Sequence, residues 1–285
     1  MTDIYNSEEF ATLIELAYRE DAPTGDLSTR YLLSESDRAI ATLIAKDDGI
    51  VSGLEVAYMV LCRCTPEEEI TFTSEYEDGD EVRKGDILAT IEAPYADLLR
   101  AERIMLNFLQ RMSGIATYTH QCVQCVAGTK TQILDTRKTA PGHRLTDKMA
   151  VRDGGGTNHR ASLSDMVMLK DNHIAMAGGI LPAVEEVRPN LPISILIEVE
   201  TTTLEEVQEA LDAGADIIML DNMDIETMRR AVVLINGQAK VEASGNMTVE
   251  RLASVAAVGV DYISIGALTH SVRAFDISMK IKPIQ

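Results

Sequence analysis

The sequence predicts an α/β protein in which a small α+β unit precedes an incomplete parallel β/α barrel. Three observations carry that reading. From residue 131 onward, short apolar runs alternate with amphipathic helical runs, the pattern of buried strands joined by crossover helices. Each apolar run ends in polar or charged residues, and barrel enzymes build their sites at those C-terminal strand ends. Over residues 68–94 the apolar residues instead alternate with a period of two between turn signals, as half-buried strands do.

The elements follow in order. Residues 7–20 have helical spacing, with Phe10, Leu13 and Ile14 on one side and Ser7 as a start signal. EDAPTGDLST (20–29) reads as a loop, broken by Pro23 and Gly25. ATLIAKDDGIVSG (41–53) predicts strand, turn, strand. EEITFTSEYEDGDEVRKGDILATIEAP (68–94) predicts further strands, with turns at Asp78–Gly79 and Lys84–Gly85–Asp86. Residues 96–127 predict a long helix in which Gly114 is either a break or a close packing contact. The parallel strands are expected at 131–134, 166–169, 193–199, 215–220, 239–243 and 261–266. A complete eight-stranded barrel takes about 250 residues, so the shorter 131–270 region predicts six or seven strands. A doubly wound sheet would gather ligand groups at one switch point. Polar ends on all six runs favour the barrel.

Charge narrows the partners. A net charge of −19 argues against a general nucleic-acid surface. No apolar run approaches the ~20 residues of a membrane span. The start, MTDIYNSEEF, is acidic and has no apolar signal core, so a cytoplasmic protein is expected. The four cysteines form two close pairs, Cys62/Cys64 and Cys122/Cys125. The second has CxxC spacing but sits in a helical stretch without a matching half-site, and buried thiols are the expectation. Against the acidic background, residues 137–170 hold seven lysines and arginines and only three aspartates, with His143 and His159 besides. A basic island of this size suggests one small anionic ligand.

The strand ends supply the chemistry. Arg137, Lys138, Arg160 and Lys170, with His159, suit a substrate carrying several carboxylates or phosphates. Glu200 and Asp221 on neighbouring strands suit Mg²⁺ beside phosphates. Ser244–Gly245 and Gly266 are small-residue turns before helical runs, and such turns bind phosphate through backbone N–H groups. No Ser–His–Asp or Cys–His arrangement is evident, so the expected chemistry is group transfer stabilised electrostatically. Taken singly, each residue has a plainer reading: an ion pair for a lone Lys or Asp, a structural role for His159, a cap for His270. Gly154–Gly155–Gly156 matches neither GxGxxG nor a P-loop. The case rests on recurrence across six strands.

Nine strings then resemble the quinolinate phosphoribosyltransferase family in order and spacing, over nearly the whole chain: EDAPTGDLST (20–29), AERIMLNFLQRMSGIAT (101–117), DTRKTAPGHR (135–144), KMAVRDGGGTNHR (148–160), MLKDNH (168–173), IEVE (197–200), IMLDN (218–222), EASGN (242–246) and GALTHS (266–271). The resemblance implies an N-terminal α/β sandwich domain over 1–113, joined by the tail 271–285, and an α/β barrel domain over 114–270. It implies a homodimer with a shared active site, into which Arg103 reaches from the partner subunit. It implies transfer of phosphoribosyl from phosphoribosyl pyrophosphate (PRPP) to quinolinate with decarboxylation, giving nicotinate mononucleotide, pyrophosphate and CO2, with Mg²⁺, as a step of NAD biosynthesis.

Carried over by position, Arg103, Arg137, His159, Arg160 and Lys170 would hold the two carboxylates of quinolinate. Lys138 would stand between quinolinate and the ribose pyrophosphate. Glu200 and Asp221 would face the ribose hydroxyls and Mg²⁺. Ser244, Gly245, Asn246, Gly266 and His270 would take the 5′-phosphate. Two positions depart from the family pattern: Asn246 stands where a second glycine is common, and Ala140 where threonine is common. Asn tolerates left-handed backbone, so the turn is expected to survive. Three other readings remain at this level: a same-fold paralogue of molybdate-uptake clusters, a same-fold enzyme for the monocarboxylate nicotinate, and an inactive scaffold. Intact NHR and GALTHS strings, five candidate cations and a complete set of strand-end residues favour the quinolinate enzyme.

Overall fold

The computed structural model describes residues 8–34 and 36–284, so the readings made on residues 1–7 lie outside the described residues. In chain order the first part forms α1 (Glu8–Asp21), α2 (Leu27–Leu32), β1 (Arg38–Ala45), β2 (Gly49–Ile50), α3 (Leu54–Cys62), β3 (Thr71–Thr73), β4 (Glu81–Val82), β5 (Ile87–Pro94) and α4 (Tyr95–Cys125). There follow β6 (Gln132–Leu134), α5 (Arg144–Asp153), β7 (Val167–Leu169), α6 (Asp171–Ala177), α7 (Ile180–Val187), β8 (Ile197–Thr201), α8 (Leu204–Asp212) and β9 (Ile217–Asp221). The chain closes with α9 (Ile225–Ile235), β10 (Lys240–Ser244), α10 (Val249–Ala256), β11 (Tyr262–Ser264), α11 (Ala267–His270) and β12 (Ile277–Pro283). Two compact units emerge. One takes residues up to His120, Thr139–Gly155 and the chain from Ser271; the other takes Gln121–Lys138 and Gly156–His270.

The first unit is built on an antiparallel sheet in the order β12-β1-β5-β3, with β2 and β4 as a separate pair. β1 shows the expected period of two: Ala39, Ala41, Leu43 and Ala45 are fully buried and the residues between them are not. Its neighbour β12 comes from the far end of the chain, a pairing that no local turn signal encodes. The string 20–29 is not loop throughout. Asp26 accepts from the Ser28 N–H at 2.8 Å and caps α2, an N-cap signal inside a string read as irregular. Helix α4 runs unbroken through Gly114, where a Cβ would lie 2.2 Å from the Arg273 carbonyl oxygen. The glycine is therefore the close packing contact and not the break. Cys122 on this helix is buried, as expected, whereas Cys125 is only half-buried, and neither forms a disulfide.

Helix α3 is capped from a distance. Both Gly53 N–H and Leu54 N–H donate to Asp78 Oδ1 at 2.8 Å. Burial pushes the Asp78 carboxyl up to about 6 in spite of these bonds, with the charge of Asp153 adding to the rise. A folded-state value above the unfolded one means the folded chain holds the proton longer. The group is therefore least costly at acid pH and destabilises as pH rises through its folded value. Asp78→Asn keeps an acceptor oxygen and removes the charge. It is expected to raise stability above pH 7 by up to about 3 kcal/mol and to change it little near pH 4. Thermal melts across that range measure the difference.

The second unit is a six-stranded parallel sheet in the order β6-β11-β10-β9-β8-β7. The end strands β6 and β7 do not pair with each other, so the barrel is incomplete, with six strands as the shorter of the two expected counts. Its strands are buried on both faces, as Ile217, Ile218, Met219 and Leu220 in β9 show. Helices α8, α9 and α10 bury one stripe each: Val207 and Ala210, then Met228, Ala231 and Ile235, then Leu252, Val255 and Ala256. One strand differs from expectation. The 193–199 run does not pair until Ile197, because Pro192 opens a turn closed by the Ile195 N–H on the Pro192 carbonyl at 3.0 Å. Ile193 is left exposed. The shift places Glu198 and Glu200 inside β8.

Candidate active site

A cavity of about 510 Å³ opens in the second unit, lined by residues at and beyond the C-terminal ends of its strands. Ten of the thirteen expected residues line it: Arg137 and Lys138 after β6, His159 and Arg160 before β7, Lys170 after β7, Glu200 in β8, Asp221 closing β9, Ser244 closing β10, then Gly245 and Asn246. Three do not. Gly266 stands behind the wall, where a Cβ would come within 3.0 Å of Lys138 Cδ and 3.1 Å of His270 Cδ2; its smallness makes room for those side chains. His270 is exposed at the end of α11. Arg103 is exposed on α4 in the first unit. The basic island also divides. Arg137, Lys138, Arg160 and Lys170 reach the cavity, whereas Arg144, Lys148 and Arg152 belong to α5 in the first unit.

The loop carrying His159 and Arg160 is pinned by Asp135, a buried aspartate directly after β6. Asn158 Nδ2 donates to Asp135 Oδ2 at 2.6 Å, and the His159 N–H to Asp135 Oδ1 at 2.9 Å. Arg160 Nη1 donates to the Met166 carbonyl at 2.9 Å, which fixes the guanidinium. Burial lowers Arg160 from its ordinary range, and the positive charge of Arg137 presses the same way. Two arginines held against each other in this manner form an anion site, since a bound carboxylate relieves both penalties.

Beneath them lie two glutamates that the sequence reading did not assign to the site. His159 Nε2 is 3.0 Å from Glu198 Oε2 and 3.5 Å from Glu242 Oε2, and both glutamate side chains are fully buried. Burial opposes a charge on the imidazole. The hydrogen bond to Glu198 and the charges of Glu242 and Glu198 outweigh that and push His159 up to about 9. Burial raises Glu198, to about 6, with the charge of Glu242 adding to it. The Arg160 N–H also approaches His159 Nδ1 at 2.9 Å, a contact that suits a neutral ring. The Nδ1 contact is a single neutral bond, whereas Nε2 faces two buried carboxyl groups, so we read the ring as cationic. Both glutamates were legible as charges inside otherwise apolar strands, IEVE and AKVEA, where a charge is rare unless paired. Thr136, Met168, Met219, Asn222 and Ser264 complete the lining and carried no such signal.

The cavity wall also holds carboxylates and a tight turn. Lys170 Nζ pairs with Glu200 Oε2 at 2.9 Å. Asp221 Oδ2 accepts from Asn222 Nδ2 at 2.7 Å, and Asn246 Nδ2 donates to Asn222 Oδ1 at 3.0 Å. Asn246 has φ 48° and Gly245 φ 88°, so the turn keeps its left-handed form with asparagine in place of glycine. Glu200 and Asp221, on paired strands, each have one oxygen in these bonds and offer the other. Two hard carboxylates suit Mg²⁺, which takes few protein ligands and completes its shell with phosphate oxygens and water. Among the described residues, the group of three whose ligand atoms lie within 4.8 Å of one another is His159, Glu198 and Glu242.

Known proteins match the chain over nearly its whole length. Residues 26–113 match the family described as "Quinolinate phosphoribosyl transferase, N-terminal domain", and residues 115–280 match its C-terminal domain. The chain is 42% identical to a probable nicotinate-nucleotide pyrophosphorylase [carboxylating] of Bacillus subtilis over 279 residues, covering 97% of this chain and 94% of the relative. A chloroplastic nicotinate-nucleotide pyrophosphorylase [carboxylating] of Arabidopsis thaliana is 44% identical, over 96% of this chain and 83% of its own length. The crystal structure of NadC from Streptococcus pyogenes superposes with a TM-score of 0.92 at 39% identity, covering 97% of this chain and 98% of that one.

Proposed function

Since the chain belongs to the quinolinate phosphoribosyltransferase family, we propose that it transfers phosphoribosyl from PRPP to quinolinate with loss of CO2, giving nicotinate mononucleotide and pyrophosphate. The observation that supports this most directly is the polarity of the cavity. Arg137, His159, Arg160 and Lys170 line it together with Glu200, Asp221 and the 244–246 turn, and the 2.9 Å pair of Lys170 with Glu200 joins the two sets. The four cationic side chains suit a dicarboxylate, and the carboxylates with the tight turn suit a phosphorylated ribose.

In this reading Arg137 and Arg160 grip the carboxylates of quinolinate bidentately, and Lys170 adds a point charge. Glu200 and Asp221 face the ribose hydroxyls and would hold Mg²⁺, which would supply charge neutralisation at the pyrophosphate. Positive charge develops at the ribose C1 as pyrophosphate departs, and Glu200 and Asp221 stabilise it. The pyridine nitrogen forms the new bond to C1. The bond from ring C2 to its carboxylate then breaks, CO2 leaves, and the electron pair at C2, beside the cationic nitrogen, takes up a proton. Lys138, at the cavity's edge between the two substrates, stabilises the charge that moves between them. Ser244, Gly245 and Asn246 take the 5′-phosphate, with Gly266 and His270 behind Lys138.

Arg103 is proposed to enter the site from a second subunit of a homodimer. An exposed arginine on an otherwise well-buried stretch of α4 is consistent with that use. The cytoplasm is the proposed location; among the described residues no helix is long and apolar enough to cross a membrane. The test is direct: purified protein with PRPP and Mg²⁺ is given quinolinate or nicotinate. Nicotinate mononucleotide and CO2 from quinolinate, and no nucleotide from nicotinate, support the reading. No product from quinolinate, in folded protein that binds PRPP, defeats it.

A further inference from the structure

The described residues contain a buried charge cluster that the functional reading leaves without a role. Glu198 and Glu242 lie on β8 and β10, either side of β9, with side chains fully buried. Both oxygens of Glu242 and Oε1 of Glu198 make no hydrogen bond. Two carboxylates in a protein interior carry a desolvation cost of several kcal/mol each unless they are compensated. The group that faces both is the imidazole of His159, whose Nε2 points between them. His159 and Glu242 are part of the cavity wall. Because Nε2 is turned toward the glutamates, the ring cannot use that nitrogen to donate to a ligand in the cavity. What remains to it is its place and its charge.

We propose that Glu242, with Glu198, is a positioning residue that holds the His159 ring in the cavity floor, so that His159 serves the second carboxylate of the pyridine substrate as a fixed cation and not as a hydrogen-bond donor. This rests on the dicarboxylate reading of the site. The geometry explains three features at once: why two acids stand beneath a cavity that selects an anion, why they are buried, and why the loop bearing His159 is pinned separately through Asp135. Glu198 lies off the cavity lining, and Glu242 shares the lining with the ring and the two arginines. The arrangement differs from an ordinary ion pair in purpose. Ion pairing at Lys170 and Glu200 neutralises a half-exposed lysine. Here two acids serve one histidine, which favours a cation beside a basic cluster that would otherwise repel it.

The test compares Glu242→Gln, His159→Gln and the double variant, each assayed for the KM of quinolinate and of PRPP. Glu242→Gln keeps the shape and removes the charge. It is expected to raise the quinolinate KM about tenfold and leave the PRPP KM within about twofold. In the double variant it should add less than about twofold to the effect of His159→Gln, because its action passes through that ring. Glu242→Asp, which restores the charge at shorter reach, should recover part of the loss. Equal damage to both KM values, or full additivity with His159→Gln, would overturn the proposal. So would a stoichiometric divalent cation that is present in the purified protein and lost in Glu242→Gln, since the cluster would then be a metal site. If the variants do not fold, the ring ¹⁵N shifts of His159 in the unaltered, ligand-free protein decide: a protonated imidazole at pH 7.5 is expected, and a neutral one overturns the proposal. An unaltered protein that fails to turn over quinolinate would defeat the functional reading instead, and the ¹⁵N measurement would still report on the cluster.

Discussion

Lys138→Ala is expected to lower kcat about a hundredfold or more while changing the quinolinate KM by no more than about threefold. The side chain is exposed at the cavity's edge. Its backbone is secured without it: the Thr269 hydroxyl donates to the Lys138 carbonyl at 2.9 Å. The stem runs close above Gly266. Truncation therefore leaves the loop in place and deletes one mobile cation where the acid and the ribose pyrophosphate meet. Ground-state binding of the acid is expected to rest with Arg137 and Arg160. The charge that shifts between substrates as the bonds change is what Lys138 can follow. Steady-state kinetics with both substrates varied measures the split. A rise in KM at unchanged kcat would make Lys138 a binding group only.

Gly245→Ala should have the next largest effect. Gly245 has φ 88°, and a Cβ there would lie 2.2 Å from Asn222 Oδ1 and 2.9 Å from the Asn222 backbone nitrogen. The amide oxygen can rotate away, but the backbone nitrogen cannot: Asn222 N–H donates to the Ser244 carbonyl at 3.0 Å, which ties the two turns together. The left-handed conformation alone costs a residue other than glycine about 1–2 kcal/mol. The overlap adds to it, so a loss of about 3 kcal/mol in stability is expected. Displacing Asn222 also frees Asp221, whose Oδ2 it holds. The PRPP KM should rise more than tenfold, whereas quinolinate binding in the absence of PRPP should stay within about twofold. Calorimetry with each substrate separates these effects. A fall in melting temperature with an unchanged PRPP KM would make the turn structural and not part of the phosphate site.

Much of the site was legible because barrel geometry converts chain order into spatial order. A residue just past an apolar strand lies at the sheet's C-terminal edge, so Arg137, Lys138, Lys170, Asp221 and Ser244 could be placed there from spacing alone. Glu200 could be placed too, although its strand starts four residues later than the apolar run suggested. Gly266 and His270 follow the same rule yet fall outside the lining, since β11 is followed by a short helix that packs them behind Lys138. Arg103 carried no local signal at all. Its assignment came from resemblance, and nothing in a helical repeat distinguishes an arginine with a task from one that is merely solvated.

By itself the sequence determined the alternation of strand and helix, the helical period over 96–127, and the gathering of cations at strand ends. These depend on hydrophobic period, turn chemistry and the handedness of β/α units, all of which act over a few residues. Only the tertiary structure decided which distant groups meet. It put β12 beside β1, used Gly114 for a backbone contact with Arg273, and sent three of the basic island's seven lysines and arginines to another unit. It also closed Glu198 and Glu242 around His159. Whether a charge in an apolar strand is compensated depends on what the neighbouring strands bring within about 4 Å, and sheet order, not local pattern, sets those neighbours.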